Sequence, residues 1–350
     1  MTWHLFTDKL NFEEAKESEI MSAEKKENTL ARVAEGAGVS RSSVSRAFTR
    51  PYLLRRDTVE RIKAVADQLG YVPNRSARAL STGRNGNIAL MVPDVANPYY
   101  TTMTSSVQQQ ADLSNYCVFL GSSFAKPEKE DELLHRFFGQ VEGMILVGSC
   151  LQEKGIHKYA TRCPLVLVNR ELKGTPRVLI DSGTGMREAV QHLAAFGHRE
   201  IAYIGGFLKS WSNKQRKTAV SESAEALGMR VNHFSVGQPS FDAGKKAASN
   251  LISTNTTAAI AFNDLVALGL IAGLSERGKS VPEDMSVIGC DDALGMFNHL
   301  PLTTVHCGCA EAGRLAVTIL LEMLERNTVF DARSVLETHL VVRSTTSGCN

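Results

Sequence analysis

No stretch of this 350-residue chain approaches the ~20 consecutive apolar residues of a membrane-spanning helix. Its first twenty residues place Asp8, Glu13, Glu14 and Glu17 where a secretory leader needs its apolar segment, so export is not expected and the cytoplasm is. Cysteine offers no disulfide framework: seven residues, an odd number, are spread from Cys117 to Cys349. Cys307 and Cys309 form a C-x-C without a second ligand pair, so no metal is expected, nor is any cofactor. No G-x-S-x-G elbow, P-loop or H-E-x-x-H occurs. "GTGMRE" (183–188) opens like a dinucleotide fingerprint but carries Glu188 at the third glycine position. The nine histidines are scattered, and His192 and His198 flank a helix end, where a surface or capping role suffices. An enzyme is therefore not expected.

Net charge is also nearly missing, since 39 Lys and Arg stand against 37 Asp and Glu. Its distribution is uneven, however. Residues 28–85 hold eleven basic side chains against four acidic ones, and such a surface suits phosphate, whose neutralisation releases condensed counterions. Residues 1–28 are charged and aperiodic and read as a disordered extension, with Met21 a candidate translation start.

From Thr29 the pattern tightens into three short helices. Thr29 is placed to cap the first, Gly38 supplies a tight turn, Ser40 caps the second, and the third runs over about Asp57–Leu69. In "AGVSRSSVSRAF" (37–48), Val39, Val44, Ala47 and Phe48 share an inward face, while Arg41, Ser42, Ser45 and Arg46 point outward. Two helices around a glycine turn, the second with a small, polar, cationic face, form the helix-turn-helix pattern. Pro73 then breaks the third helix, and Asn74 can cap a short segment, Arg75 to Leu80, too brief to be stable alone in water.

Beyond Asn87, apolar runs such as "NIALMVP", "GMILVG", "PLVLVN", "IAYIGG" and "MSVIGC" alternate with helical stretches. Non-alternating strands interleaved with helices predict an α/β fold with parallel sheets covered on both faces. About 265 such residues are long for one sheet, so two α/β subdomains facing each other across a cleft are expected. With 43% hydrophobic residues the chain has enough apolar material for such a core.

These segments, in order "TLARVAEGAGVSRSSVSRAF", "LGYVPNRSARALSTGR", "IALMVPDVANPYY", "GHREIAYIGG", "FNDLVALGL" and "VPEDMSVIGCDD", closely resemble the LacI/GalR family of bacterial transcription regulators over about residues 29–346. The resemblance implies a helix-turn-helix DNA-binding domain over 29–72, a hinge helix and linker over 73–86, and an effector-binding and dimerisation core over 87–346, similar to periplasmic sugar-binding proteins. It implies a homodimeric regulator, most often a repressor, that reads double-stranded operator DNA under the control of a small ligand such as a sugar. Arg41, Ser42 and Arg46 match its base-reading positions, with Ser45 beside them; arginine pairs with both guanine acceptors in the major groove. Thr29, Ser40, Arg50, Tyr71, Asn74 and Arg75 match positions that orient the protein on the DNA backbone. Leu80 matches a minor-groove wedge, flanked by Ala77 and Arg78.

In the cleft the resemblance points to Tyr99, Tyr100, Phe124, Asn169, Arg170, Arg216, Asn263 and Asp291, with Trp211 at its border. Aromatic faces stack on the C–H surface of a sugar ring while Arg, Asn and Asp bracket its hydroxyls. For Asn263 and Asp264 the alternative is capping of the following helix. Arg32, Thr49, Arg55 and "HCGC" (306–309) depart from the family pattern, and Asp57 is the candidate to replace the cap lost at Arg55. A transport-type binding protein or an enzyme acting on a sugar or nucleoside are the alternatives for the cleft, but neither explains residues 29–84.

Overall fold

The computed structural model describes residues 30–72, 84–293 and 300–349. Met21, Thr29, Pro73 and the hinge positions Asn74, Arg75, Ala77, Arg78 and Leu80 lie outside them. The chain divides into two compact units, one ending at Asn85 and one beginning at Gly86.

In the first unit, α1 (Leu30–Gly36), α2 (Arg41–Thr49) and α3 (Arg56–Gln68) enclose a small core. Gly38 turns the chain between α1 and α2 at φ +62°, a left-handed conformation that glycine adopts without a Cβ penalty. Ser40 then starts α2 by accepting a hydrogen bond from the Ser43 amide at 3.1 Å. The apolar stripe points inward: Val33, Ala34, Val44, Ala47, Ile62 and Ala66 are buried, and Phe48 and Tyr71 meet with ring centroids 6.1 Å apart. Burying a Val or Ile side chain contributes ~1.5–3 kcal/mol, and a unit this small depends on each of them. At α3, Arg55 occupies the cap position without a side-chain bond, and two residues later Asp57 accepts from the Thr58 amide at 2.7 Å, in line with the expected compensation.

The second unit begins with β1 (Asn87–Val92), α4 (Pro98–Asp112), β2 (Cys117–Ser122), α5 (Pro127–Phe137), β3 (Gly143–Val147), α6 (Glu153–Ala160), β4 (Leu165–Val168) and β5 (Arg177–Ile180). Helix α7 (Ser182–Ala195) leads into β6 (Glu200–Gly205), α8 (Trp211–Ala226), β7 (Arg230–Ser235), α9 (Phe241–Ile252), β8 (Ala258–Ala261), α10 (Asp264–Ser275), β9 (Ser286–Asp291) and β10 (Thr303–His306). Helix α11 (Cys309–Arg326), β11 (Arg333–Leu336) and β12 (His339–Val341) complete it. Among the described residues the strands form two sheets, ordered β11-β5-β4-β3-β1-β2 and β12-β10-β9-β8-β6-β7, parallel except where β12 runs antiparallel to β10.

Strands β3, β4 and β8, and β1 from Ile88 onward, are buried and free of polar side chains, as sheets covered on both faces require. A continuous core joins one face of each sheet through α4, α7, α8 and α11, while separate apolar clusters fill the far faces. The strands expected from the quoted apolar runs are all present, as β1, β3, β4, β6 and β9. Strands β7, β11 and β12 escaped that pattern because they lie at sheet edges and carry half-exposed polar residues, and β10 because it opens with two threonines.

Glycine sets how closely α9 and α10 pack. A Cβ on Gly269 of α10 would stand 1.9 Å from the Phe241 carbonyl oxygen, so α9 and α10 approach to a separation that only glycine allows. Of the two histidines near α7, His198 is not a surface group: it is buried, and its Nε2 donates to the Ser347 carbonyl at 3.1 Å while Nδ1 bonds the Thr257 hydroxyl at 2.8 Å.

Candidate nucleic-acid interface and ligand cleft

On α2 the residues that avoid the small core form one exposed surface. Arg41, Ser42, Ser45 and Arg46 are all solvent-facing, with Arg50 exposed just past the helix end. Ser40 does more than cap. Its hydroxyl also lies 2.8 Å from that of Ser42 and 2.9 Å from that of Ser43, so three serine side chains form a compact polar cluster at the helix start. Arg41 and Arg46 therefore stand well above the rest of this face in length. Tyr71 rests its ring on Phe48, which ties the segment after α3 to α2.

In the second unit a cleft of about 820 Å³, counted with its open mouth, lies where loops from the carboxyl ends of both sheets converge. Pro93 and Asp94 follow β1, Gly148 and Cys150 follow β3, Phe207 follows β6, Phe262 and Asn263 follow β8, and Asp291 ends β9. In both sheets the first strand has neighbours leading in opposite chain directions, β2 and β3 around β1 and β7 and β8 around β6, and ligands of open α/β sheets bind at such switch points.

Arg216, projecting from α8, is 4% exposed. Its guanidinium lies over the Phe262 ring at 4.8 Å, donates to the Phe262 carbonyl through Nη1, and holds Nη2 3.7 Å from Oδ1 of Asp291, itself 6% exposed. Its Nε has no acceptor among the described residues. Burial pushes the Asp291 carboxyl well above the ordinary carboxylate range, with the nearby guanidinium pulling the other way. Asp291 and Asp292 both have positive φ, +132° and +56°, a strained conformation for non-glycine residues that aims the Asp291 carboxylate at the cleft.

Tyr99 and Tyr100 form an edge-to-face pair with centroids 5.1 Å apart, and burial raises both phenols above their usual range, so they remain hydrogen-bond donors at neutral pH. Phe124, at φ +52°, lines the cleft and is half exposed.

Asn169 and Asn263 line the cleft as expected, but each has part of its amide committed to structure. Asn169 donates to the Tyr99 hydroxyl at 3.2 Å and accepts from the Ile180 amide at 3.1 Å. Asn263 accepts from the Val266 amide at 3.0 Å and so caps α10, while Asp264 accepts from Thr304 at 2.6 Å and from the Ala293 amide at 3.0 Å. Arg170 does not line the cleft; it donates to the Leu151 carbonyl at 3.4 Å. Trp211 does not line it either, although its neighbours Ser210 and Ser212 do. Phe207, Phe262, Asp94 and Gln238 line it without having been anticipated, and for the first three the signal was their position just after a strand's carboxyl end.

Comparison with known proteins bears on both surfaces. Residues 29–74 match the bacterial regulatory proteins of the lacI family, and residues 190–346 match a periplasmic binding protein-like domain. The transcriptional regulator DegA of Bacillus subtilis is 30% identical over 337 residues, covering 92% of this chain and 99% of DegA. This chain belongs to the LacI family of bacterial regulatory proteins. It is a DNA-binding transcription regulator of α/β fold with a helical head. The LacI-family member is also 29% identical to the transcriptional repressor CytR of Escherichia coli K12, over 93% of this chain and 99% of CytR. Its fold matches the Lac repressor dimer bound to operator and the anti-inducer ONPF, with a TM-score of 0.81 at 26% identity, over 91% of this chain and 99% of that one. A CelR regulator solved with cellobiose matches at 30% identity and a TM-score of 0.67, over 91% of this chain and 99% of that one. No helix among the described residues is long and apolar enough to cross a membrane.

Proposed function

We propose that this LacI-family chain is a homodimeric cytoplasmic repressor that reads a two-fold-symmetric operator through Arg41 and Arg46 and responds to a small neutral polyol in its cleft. The observation that carries the reading is the outward face of α2, where two long cations rise above a layer of short serines. That relief lets the helix lie close to base edges while each guanidinium reaches the paired acceptors of guanine. Arg50, Ser40 and Tyr71 are assigned to the DNA backbone, and Leu80 with Ala77 and Arg78 to the minor groove. The domain limits that follow are a head over 29–72, a hinge over 73–86 and a core over 87–346.

The ligand class follows from charge and shape. The cleft presents Asp94 and Asp291 against Arg216, whose guanidinium already serves Asp291 and the Phe262 carbonyl, so among the described lining residues no surplus cation is left for a phosphate. Five aromatic rings, Tyr99, Tyr100, Phe124, Phe207 and Phe262, line it, and Asp291 and Tyr100 offer an acceptor and a donor for hydroxyls. CelR, a relative, binds cellobiose, in keeping with a polyol.

Selection of bound sequences from random duplex DNA with the full-length protein tests the first half. A two-fold-symmetric site whose affinity falls steeply with salt is expected; recovery of no preferred sequence overturns base reading. A thermal-shift screen of neutral sugars, sugar phosphates and nucleosides tests the second. A ligand at 100 times its Kd stabilises by ~2.7 kcal/mol, and a response confined to phosphorylated compounds overturns the neutral-polyol assignment.

A further inference from the structure

The C-x-C of Cys307 and Cys309 lacks a second ligand pair in the sequence, and the fold supplies one. Cys307 follows β10 directly, and β10 pairs with β9, whose last two residues are Cys290 and Asp291. The register sets His306 beside Asp291, so the end of one strand carries two metal-binding side chains against the first cysteine after its neighbour. Sγ of Cys290 lies 3.4 Å from Sγ of Cys307, and these sulfurs and a carboxylate oxygen of Asp291 all fall within 4.8 Å of one another. Both cysteines are fully buried.

We propose that Cys290, Asp291 and Cys307 form a binding site for a zinc-class thiophilic cation beneath the cleft. In a tetrahedral zinc site with Zn–S bonds of ~2.3 Å, two thiolate sulfurs stand roughly 3.7 Å apart, so the pair needs to open by only a few tenths of an ångström. A disulfide requires ~2.05 Å, and Cys290 faces Val305 rather than Cys307, which makes the cysteines diagonal neighbours across the strands. Two thiolates exclude magnesium and calcium as ligands of choice, and a carboxylate as third donor favours Zn²⁺ over Cu⁺.

Charge supports the same assignment. Two thiolates and a carboxylate around a divalent ion leave one net negative charge, and Arg216 stands 3.7 Å from Asp291 to neutralise it. Arg216 is then a positioning residue for the metal site as well as a wall of the cleft. Asp291 is shared between the two, so metal uptake draws its carboxylate away from ligand hydroxyls. The site itself does not depend on what the cleft binds.

The test uses full-length protein, stripped of metal under reducing conditions and titrated with Co²⁺ as a spectroscopic probe. We expect one equivalent per chain, with a near-ultraviolet sulfur-to-cobalt charge-transfer band that Zn²⁺ abolishes on displacement. Cys290→Ser and Cys307→Ser should each lose the band, Asp291→Asn should weaken binding ~10-fold or more, and Cys349→Ser should leave it unchanged. If the serine variants unfold, Zn²⁺ should slow alkylation of Cys290 and Cys307 in the wild-type protein, read by mass spectrometry. No charge-transfer band, a band retained in both serine variants, or alkylation indifferent to Zn²⁺ each overturns the site. So does mild peroxide consuming both thiols as a disulfide in protein that takes up no metal.

Discussion

Nη2 of Arg216 stands 3.7 Å from Oδ1 of Asp291, beyond hydrogen-bond range, with both side chains buried. The two are held as a charge pair with a gap, not as a closed salt bridge, and a ligand hydroxyl can enter between them. Replacing Arg216 alone leaves a carboxylate buried without its partner, a change that costs ~3–5 kcal/mol in comparable pairs. Arg216→Met is therefore expected to lower Tm and abolish ligand binding, whereas Arg216→Met combined with Asp291→Leu should recover most of the Tm but none of the binding. Calorimetric titration of both variants with the ligand found by screening separates the roles; ligand binding by the stable double variant would remove the pair from the site.

Arg46 is predicted to read a base. Arg46→Ala should cost ~1–3 kcal/mol on the preferred operator and relax preference at a single base pair in each half-site, measured by competition binding against single-base variants. Equal loss on every sequence would make it a phosphate contact.

Gly269 and Gly155 predict opposite outcomes for the same substitution. A Cβ at Gly269 meets the Phe241 carbonyl oxygen at 1.9 Å, so Gly269→Ala should destabilise by ~1–3 kcal/mol as α9 and α10 are forced apart. At Gly155, in α6, the nearest atom to a new Cβ is 3.5 Å away, and Gly155→Ala should stabilise by ~0.4–1 kcal/mol through the unfolded chain. Thermal unfolding of the two variants side by side decides it.

Burial holds the His198 imidazole below its ordinary value, against a smaller upward pull from the Ser347 carbonyl. The folded state thus binds the proton less readily than the unfolded chain. Stability contributed by neutral His198 is complete above the unfolded pKa of ~6.5 and is lost as pH falls from there toward the lower folded value. Urea midpoints should drop between pH 7 and pH 5, and the His198 ring-proton NMR resonance should titrate below 6.5; a midpoint above 6.5 would reverse the sign.

Much of this architecture was legible in the sequence, for physical reasons that differ by element. "GMILVG" and "PLVLVN" announced buried parallel strands because a sheet covered on both faces tolerates nothing polar. The outward face of α2 was legible because Val44 and Ala47 fix which side turns inward. The cleft was harder. Asn169 and Asn263 line the cleft, yet their amide oxygens accept from the Ile180 and Val266 backbone amides, a sharing of roles that only three-dimensional placement makes. Cys290 and Cys307 are seventeen positions apart, and only the pairing of β9 with β10 makes them neighbours.

The last two strands also constrain how this protein can be divided. Strand β11 hydrogen-bonds to β5 in the first sheet and β12 to β10 in the second, so the chain's final segment stitches both lobes shut after each is otherwise built. A fragment cut before α7 lacks an edge of its only sheet, and one that starts within α7 carries β11 with no β5 to receive it. Neither lobe can be inherited, expressed or exchanged as one contiguous piece, and a chimera that swaps ligand specificity must take its graft from two separated segments.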